Sequence, residues 1–395
     1  MALLPFSSLD RAQQLTRWRD LVVVFGKLGL FAFGGPAAHI AMIEQEVVQR
    51  RQWVSQSRLL DLIGVTNLIP GPNSTELAIH LGLEYGGFWG MWLAGTCFIL
   101  PAMVMVWILA IIYRHSQSLP QLSWVLYGIK PVIVVIVIQA VVKLGRKGIK
   151  GWTTGAIAVG VALLSGLGVN EIGLMILGGL VALVSDRLIN SKPSGLSLVP
   201  LVDLVAQLPT FLPMELRRDS WGVFLVFLKI GSVLYGGGYV LFAFLQQDLV
   251  ERLGWLTAQQ LIDAIAVGQF TPGPIFTTAT FIGYLVAGHG GAIAATVGIF
   301  LTGFVLVLLL HGWIERLRQV QWTAKILDGV NAAALGLMAV VTFKLGAEIF
   351  DVFGLVVGGV AAIALWRLKL SSIWLIIMGG IIGAVYKYVL GSNYG

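Results

Sequence analysis

Charged residues are scarce in this chain. Only 11% of its 395 residues are Asp, Glu, Lys or Arg, whereas 57% are hydrophobic. About a quarter of the residues of a typical soluble domain are charged, so this composition excludes that class. Cysteine is almost absent as well, and the single Cys97 excludes an internal disulfide bond and a cysteine-based metal site.

Motifs for catalysis and nucleotide binding are also missing. The sequence has no HExxH, Walker A or paired-cysteine pattern and no Ser-His-Asp arrangement, which leaves an enzyme hypothesis without support. We therefore expect no catalytic residues, no metal and no cofactor, and transport that is secondary or channel-like. The net charge of +7 does not indicate a nucleic-acid partner, because the basic residues lie in short loops between apolar segments, as the positive-inside rule predicts.

Apolar sequence, in contrast, is plentiful and comes in long runs. The clearest runs are 89–113, 132–142 with its flanks, and 292–310, near or above the roughly 18 residues of a transmembrane helix. The 49 glycines and 13 tryptophans suit close helix packing and membrane interfaces. The polar N-terminus lacks the pattern of a removable signal peptide. We expect a multi-pass protein of the inner or plasma membrane, surrounded by the lipid bilayer.

Two apolar stretches are interrupted by the same tripeptide, at Pro70-Gly71-Pro72 and at Pro272-Gly273-Pro274. Proline lacks a backbone N–H and glycine is permissive, so each tripeptide must end one helix and start another. At membrane depth such a break is tolerated only where protein or a water-filled cavity covers it. The new helix directs its free amides and positive dipole end into that cavity, which is an arrangement that binds anions.

The chain is an internal duplication. A shift of 202 positions superimposes rare residues without a gap, and later in the chain the shift becomes 201. The shift of 202 aligns Phe25 with Phe227, Lys27 with Lys229, Trp53 with Trp255 and Asp61 with Asp263. The predicted organisation is a cytoplasmic N-terminal segment, a first repeat, a linker and a second repeat. Their bounds are 1–19, 20–185, 186–221 and 222–390.

We predict an all-α polytopic membrane protein in which each repeat has two broken, re-entrant hairpins followed by about four transmembrane helices. The hairpin arms fall short of the roughly 20 residues that a span needs. Basic residues in three pairs of equivalent loops change sides between the repeats, which favours an inverted orientation. Inversion requires an extra crossing, which the apolar linker segment 196–212 could provide. That crossing would place Arg217 and Arg218 on the outer side of the membrane, which counts against the inverted orientation.

Lysines and glycines of the breaks are candidates for substrate binding. An intramembrane lysine is costly and usually faces a cavity or a partner, so we expect Lys27 and Lys229 to line an anion pathway. Snorkelling toward lipid headgroups is the alternative. The glycines allow the backbone to approach a ligand, or another helix, closely. They are Gly34, Gly35, Gly71, Gly236, Gly237 and Gly273.

Hydroxyl and amide side chains follow the Pro-Gly-Pro breaks and are expected to donate hydrogen bonds to substrate oxygens. They are Asn73, Ser74, Thr75, Thr277 and Thr278. Helix capping is a role that the same residues favour. Glu76 lies in the first turn and would repel an anion unless protonated, which makes it a candidate proton carrier, although complementing the helix dipole fits equally well.

Other titratable residues are weaker candidates. Asp61 and Asp263 are candidates for proton coupling, with helix-start or ion-pair roles favoured. His39 and His80 could titrate near neutral pH. The gap-free counterpart of His80 is Ile282, however, so a mechanism shared by both halves does not need it and packing is the expected role.

A Gly-Gly-Pro, a tryptophan and a Pro-Gly-Pro follow in fixed order at 34–36, 53 and 70–72, and a closely related order recurs from 236 to 274. This order resembles the chromate ion transporter family in its long, two-domain form, over essentially the whole chain. The resemblance implies a plasma-membrane exporter of chromate driven by the proton-motive force, that is, an antiporter conferring chromate resistance. Members often carry Glu-Ala after the first Pro-Gly-Pro. Here Asn73-Ser74 stands instead, and Glu76 could substitute for the acidic residue.

Several alternatives stay open at this point. Chromate and sulfate are both tetrahedral dianions, which a cluster of helix N-termini, hydroxyls and lysines does not separate. A passive anion channel could use the same helix termini. The sequence also leaves a homodimer open. For a carrier, rocking of one repeat against the other around a central site is the expected mechanism.

Overall fold

The computed structural model describes residues 6–33, 35–116, 120–190, 216–235, 238–313, 321–347 and 351–391. Three candidate glycines, Gly34, Gly236 and Gly237, lie outside these ranges. So does the linker segment 196–212, for which the sequence suggests an extra crossing.

The first half is a series of helices that end where glycine or proline interrupts the apolar sequence. α1 begins at Arg11, earlier than the apolar run from Leu21 predicts. The cause is a capping box, in which the Asp10 side chain accepts from Gln13 N at 2.8 Å and the Gln13 side chain accepts from Asp10 N. The helices are α1 Arg11–Phe31, α2 Gly35–Glu44, α3 Gln56–Thr66, α4 Asn73–Ser116, α5 Pro120–Gly148, α6 Trp152–Gly166 and α7 Glu171–Asn190.

The second half follows the same order. Its first break is followed by a short helix where the first half has α2, and both of these helices continue into a π-helical segment, Gln45–Arg50 and Gln246–Arg252. The helices are α8 Ser220–Val233, α9 Leu241–Leu245, α10 Ala258–Phe270, α11 Thr278–Leu310, α12 Gln321–Ala347, α13 Val352–Trp366 and α14 Ser372–Gly391. Over the described ranges, no strand occurs.

α4 and α11 each bend sharply at a glycine in the left-handed region, Gly87 with φ 66° and Gly288 with φ 64°. The bend folds each helix back on itself. Residues 82 and 90 of a straight helix would be about 12 Å apart, yet Gly82 and Gly90 are in backbone contact. The equivalent glycines 283 and 291 make the same contact in α11. The arm before the bend and the long helix after it are thus distinct pieces.

Length and composition make several helices suitable for crossing a membrane. Their surfaces carry exposed apolar side chains such as Ile108 and Leu309, as contact with lipid requires. Shorter apolar helices, including α6 and α13, accompany them. Within the described part of the chain, the long ones are Asn73–Ser116, Ser123–Gly148, Ile275–Leu310, Trp322–Ala347 and Ser372–Val389. The chain is therefore an all-α membrane protein with several apolar helices.

The chain packs as two compact units, and each combines segments of both halves. Unit 1 contains all four break regions of the sequence. It comprises Met1–Ser116, Arg217–Gly238 and Val267–Arg318. Unit 2 comprises Gln117–Leu216, Tyr239–Ala266 and Gln319–Gly395.

Glycines mediate the close helix contacts of unit 2. Gly128 of α5 is in backbone contact with Gly379 of α14. The equivalent pair, Gly329 of α12 and Gly178 of α7, makes the reciprocal contact. A side chain at any of these positions would collide with backbone of the opposite helix. In unit 2, helices of one half therefore pack against helices of the other half, in two equivalent pairs.

Candidate functional site

The breaks of the two halves are joined by a pair of crossed hydrogen bonds inside unit 1. The Gly71 amide donates to Leu234 O at 2.9 Å, and the Gly273 amide donates to Ala32 O at 2.9 Å. Residue 234 is the repeat counterpart of residue 32, so the two bonds are equivalent. Gly71 and Gly273 have φ values of 134° and 87°, which side chains with a Cβ rarely adopt. Each Pro-Gly-Pro is thus bonded to the first break of the other half.

The helix that follows Pro72 begins inside the protein. The amides of Thr75 and Glu76 donate to Pro72 O at 2.7 and 3.2 Å, closing the first turn. The amides of Asn73 and Ser74 come before any intrahelical acceptor, as in every helix start. The side chains of Ser74, Thr75 and Glu76 are at most 1% exposed.

His39 connects this helix start to the first break of the same half. Its Nδ1 lies 3.2 Å from Ser74 Oγ and its Nε2 lies 3.1 Å from Ala32 O. The ring is 2% exposed and packs edge-on against Phe98. Ala32 O therefore lies within hydrogen-bonding distance of both His39 and Gly273. The sequence favours a packed histidine, but residue spacing does not reveal that His39 lies beside Ser74.

Three buried oxygens at this helix start lack a hydrogen-bond partner among the described residues: Thr75 Oγ1, Glu76 Oε1 and Glu76 Oε2. The Glu76 carboxyl fills the space that a side chain on Gly71 would occupy, and it faces Gly303 of α11. Burying polar atoms without partners is costly, so such groups in proteins usually meet water, an ion, a proton or a ligand. This helix start is therefore a place in unit 1 that is suited to a proton, an ion or a ligand.

The second Pro-Gly-Pro has equivalent residues but different hydrogen bonding. A single 3₁₀ turn, Ile275–Thr277, precedes α11. Thr277 Oγ1 donates to Pro274 O and Thr278 Oγ1 donates to Ile275 O, each at 2.8 Å. These hydroxyl protons are already engaged. A dianion accepts hydrogen bonds and donates none, so it gains less from these threonines than from Thr75.

The two candidate lysines have different surroundings. Lys27 has a side chain that is 56% exposed and forms an ion pair with Glu46 at 3.3 Å. Lys229 of α8 is 8% exposed. Glu46 also accepts from Arg50 at 2.9 Å. Burial raises the pKa of Glu46, but the hydrogen bonds and charges of Lys27 and Arg50 outweigh it and leave that pKa below its ordinary value. Of the two lysines, Lys229 is the buried cation.

The duplicated aspartates are likewise unequal. Asp61 is half-buried in α3 of unit 1. Asp263 of α10 is 3% exposed and forms an ion pair with Lys130 of α5 at 3.6 Å, within unit 2. The repeat counterpart of Lys130 is Asn331. The ion pair is therefore not repeated between Asp61 and residue 331.

These features define a class: an all-α membrane protein with several apolar helices and a buried polar centre at the breaks of its helices. A sequence model of the chromate transporter family matches residues 19–183 and again residues 221–384. The chain therefore belongs to the chromate transporter family.

Curated relatives cover nearly the whole chain. The probable chromate transport protein of Synechococcus elongatus is 30% identical over 378 residues, which are 93% of this chain and 95% of that protein. The chromate transport protein of Pseudomonas aeruginosa is 31% identical over 381 residues, which are 92% of this chain and 91% of that protein. That of Cupriavidus metallidurans is 30% identical over 327 residues, 80% of each chain. No solved structure matches this chain.

Proposed function

We propose that this protein transports chromate, and that it exports the oxyanion from the cytosol as a secondary transporter coupled to the proton-motive force. Family membership and relatives that carry the name chromate transport protein support the substrate. The observation that supports the proposed site is the buried helix start after Pro72, where Thr75 Oγ1 lacks a hydrogen-bond partner within the described residues.

The proposed site recognises a tetrahedral dianion with groups that donate hydrogen bonds. The first-turn amides at Asn73 and Ser74, the Thr75 hydroxyl and the positive end of the helix dipole would face the oxyanion. Lys229 adds a buried positive charge. The remaining predicted contacts belong to the same proposal as secondary contributors. They are Lys27, Gly34, Gly35, Gly71, Gly236, Gly237, Gly273, Thr277 and Thr278.

Proton coupling needs a group that can lose and gain a proton near the anion. Glu76 is the proposed group, because its carboxyl oxygens have no partner among the described residues and face Gly71 of the same break. A protonated Glu76 could be a neighbour of a dianion, whereas a carboxylate would repel it. Asp61 and Asp263 remain proposed coupling groups of lower rank, since Asp263 has a cation beside it.

We further propose that the repeats are inverted in an inner or plasma membrane. Loop charges support this orientation: the turn with Arg146 and Lys147 is basic, whereas its counterpart carries Glu348 and Asp351 beside Lys344. The crossed bonds of Gly71 and Gly273 are also compatible with halves related by a two-fold axis.

The test is uptake of radiolabelled chromate into everted membrane vesicles, with unlabelled sulfate as competitor and an uncoupler as control. Saturable uptake that the uncoupler abolishes is expected, and the strength of competition ranks the two anions. Uptake without saturation or counterflow would instead indicate a channel. No uptake above that of vesicles lacking the protein, for folded and inserted protein, would overturn the substrate assignment.

A further inference from the structure

Three titratable side chains are aligned on one face of α4 between Pro72 and Gly87. Glu76, His80 and Glu84 recur at intervals of four residues, which places each next to the following one on a helix surface. The stripe extends about 12 Å along the axis. It begins at the proposed substrate site and ends near the bend of α4.

The middle of this stripe is buried and lacks hydrogen-bond partners. His80 is fully buried, and neither of its ring nitrogens has a partner among the described residues. The same is true of both carboxyl oxygens of Glu76. A structural histidine in a protein interior normally donates to or accepts from a neighbour. Packing alone therefore does not account for an imidazole here.

A second histidine lies beside this stripe. His311, in the turn after α11, has its ring centroid 5.9 Å from that of His80, with the planes inclined by 32°. Its Nδ1 is also buried without a partner in the described part of the chain. Both residues belong to unit 1. No direct hydrogen bond joins the two rings, since neither His80 nitrogen has a partner among the described residues, so one intervening water is the bridge that a proton path needs.

An ion pair stands at the outer end. Arg58 Nε donates to Glu84 Oε1 at 2.8 Å, and the two side chains are 34% and 16% exposed. Both interact electrostatically with His311, and Arg58 also with His80. At the inner end, Tyr235 interacts electrostatically with Glu76. These charged and titratable groups face the path from α3, α4, the break after α8 and the turn after α11.

The second half forms the same helix without these groups. The contact of Gly82 with Gly90 is repeated by Gly283 and Gly291, so the shift here is 201. The structural counterpart of His80 is therefore Phe281, one residue from the gap-free Ile282, and that of Glu84 is Leu285. The fold accepts apolar side chains at both places, so it does not require the polar stripe.

We propose that Glu76, His80 and His311 form a proton relay that connects the partly exposed Arg58–Glu84 pair to the substrate site. His311 takes a proton at one ring nitrogen and releases another to His80, which passes a proton to a Glu76 carboxylate oxygen. The charge carried inward is one proton, and each imidazole returns to its neutral form. This relay rests on the proposed proton-coupled transport and assigns its path.

The first experiment compares two transport modes in proteoliposomes that contain the full chain and an internal pH dye. Chromate counterflow at equal pH needs the substrate site alone, whereas accumulation driven by a pH gradient needs the relay. For His80→Gln and His311→Gln we expect near-normal counterflow and gradient-driven accumulation lower by about tenfold or more, since a positioned proton-transfer group is worth at least that much. His289→Gln, an exposed histidine of unit 1, is the matched control and should leave both modes intact.

Two outcomes overturn the relay. One is full gradient-driven accumulation in both histidine variants. The other is an equal loss of counterflow and accumulation, which would make the histidines structural. If His80→Gln fails to fold, His311→Gln carries the test, because His311 is only half-buried in a short turn.

The second experiment needs no substrate and separates failure of the relay from failure of the proposed function. Infrared difference spectra after a pH jump report protonation of a carboxyl group, assigned to Glu76 by its loss in Glu76→Gln. We expect this signal to rise more slowly in His80→Gln and His311→Gln than in His289→Gln. An unchanged rate in both would overturn the relay even if chromate is transported, and a slowed rate would support it even if chromate is not.

Discussion

A hydroxyl group whose proton is already donated cannot donate it again, and this separates the threonines of the two Pro-Gly-Pro breaks. Thr277 Oγ1 donates to Pro274 O, whereas Thr75 Oγ1 has no partner within the described residues. Both side chains are buried. At the residue scale, the repeat therefore contains one threonine available to a ligand and one committed to the backbone.

Replacement of each threonine by valine tests this difference. Thr75→Val should weaken chromate binding by about 1.5–3 kcal/mol, the value of a hydrogen bond to a charged group, with little change in thermal stability. Thr277→Val should instead destabilise the protein by about 1 kcal/mol and leave the KM for chromate nearly unchanged. Uptake kinetics and thermal unfolding of both variants measure these effects. The reverse pattern would refute the assignment of the ligand contact to the first half.

The lysines offer a second comparison at this scale. Lys229→Ala removes a buried cation and should reduce chromate uptake by about tenfold or more, as loss of a charge-assisted hydrogen bond predicts. Lys27→Ala removes the exposed partner of Glu46 and should have the smaller effect, because exposed ion pairs contribute at most about 1 kcal/mol. Radiolabelled uptake, normalised to inserted protein, provides the measurement. Equal losses would mean that both lysines act on the anion.

At the scale of single elements, glycine contacts shape the helices more than apolar patterning does. α4 can fold back on itself only because Gly82 and Gly90 allow their backbones to touch and because Gly87 adopts a positive φ. α11 repeats the arrangement with one residue fewer after its Pro-Gly-Pro, where a 3₁₀ turn begins the helix. The half-helix of the proposed substrate site is thus held between a proline break and a glycine bend.

A pair of glycine-to-alanine changes isolates this contact from helix propensity. Gly82→Ala should lower Tm, because the added methyl group would collide with Gly90 O. Gly160→Ala, in the interior of α6 with nothing within 4 Å of the added methyl, should be neutral or raise stability by up to about 1 kcal/mol. Thermal unfolding in detergent compares the two. A normal Tm for Gly82→Ala would argue against the folded-back geometry.

At the scale of the whole molecule, neither compact unit coincides with a half of the sequence. In unit 1 the crossed bonds of Gly71 and Gly273 join the halves, and in unit 2 the pair Gly128 and Gly379 does so. Rocking of one repeat as a rigid body against the other would break these contacts. The structure therefore argues against the repeats themselves as the moving bodies.

Inversion of the repeats makes a prediction of its own. Arg146 and Ala347 are equivalent by the shift of 201 and both are exposed. In a background with Cys97→Ala, a cysteine placed at either position should react with a membrane-impermeant maleimide from one side only, and the two sides should be opposite. In everted vesicles the cysteine at position 146 is expected to react, since its loop is basic. Reaction of both cysteines from the same side would establish parallel repeats.

Much of the fold could be predicted from sequence because its causes are local. Proline removes an amide, glycine permits a positive φ, and the length of an apolar run sets what a helix can span, so the breaks, the duplication and the order of helices are readable residue by residue. Cap chemistry at Asp10 accounts for the early start of α1, which apolar patterning missed.

The candidate site depends on groups that lie far apart in the chain, and spacing contains no information about them. Residues 27 and 229 match in the repeat, yet one is exposed and the other buried. The sequence likewise does not show that His80 meets His311 or that Glu76 faces Gly303. Duplication determines which residues recur. Tertiary packing determines which of them keep a buried polar atom without a partner, because that depends on the neighbours that surround each side chain in the folded chain.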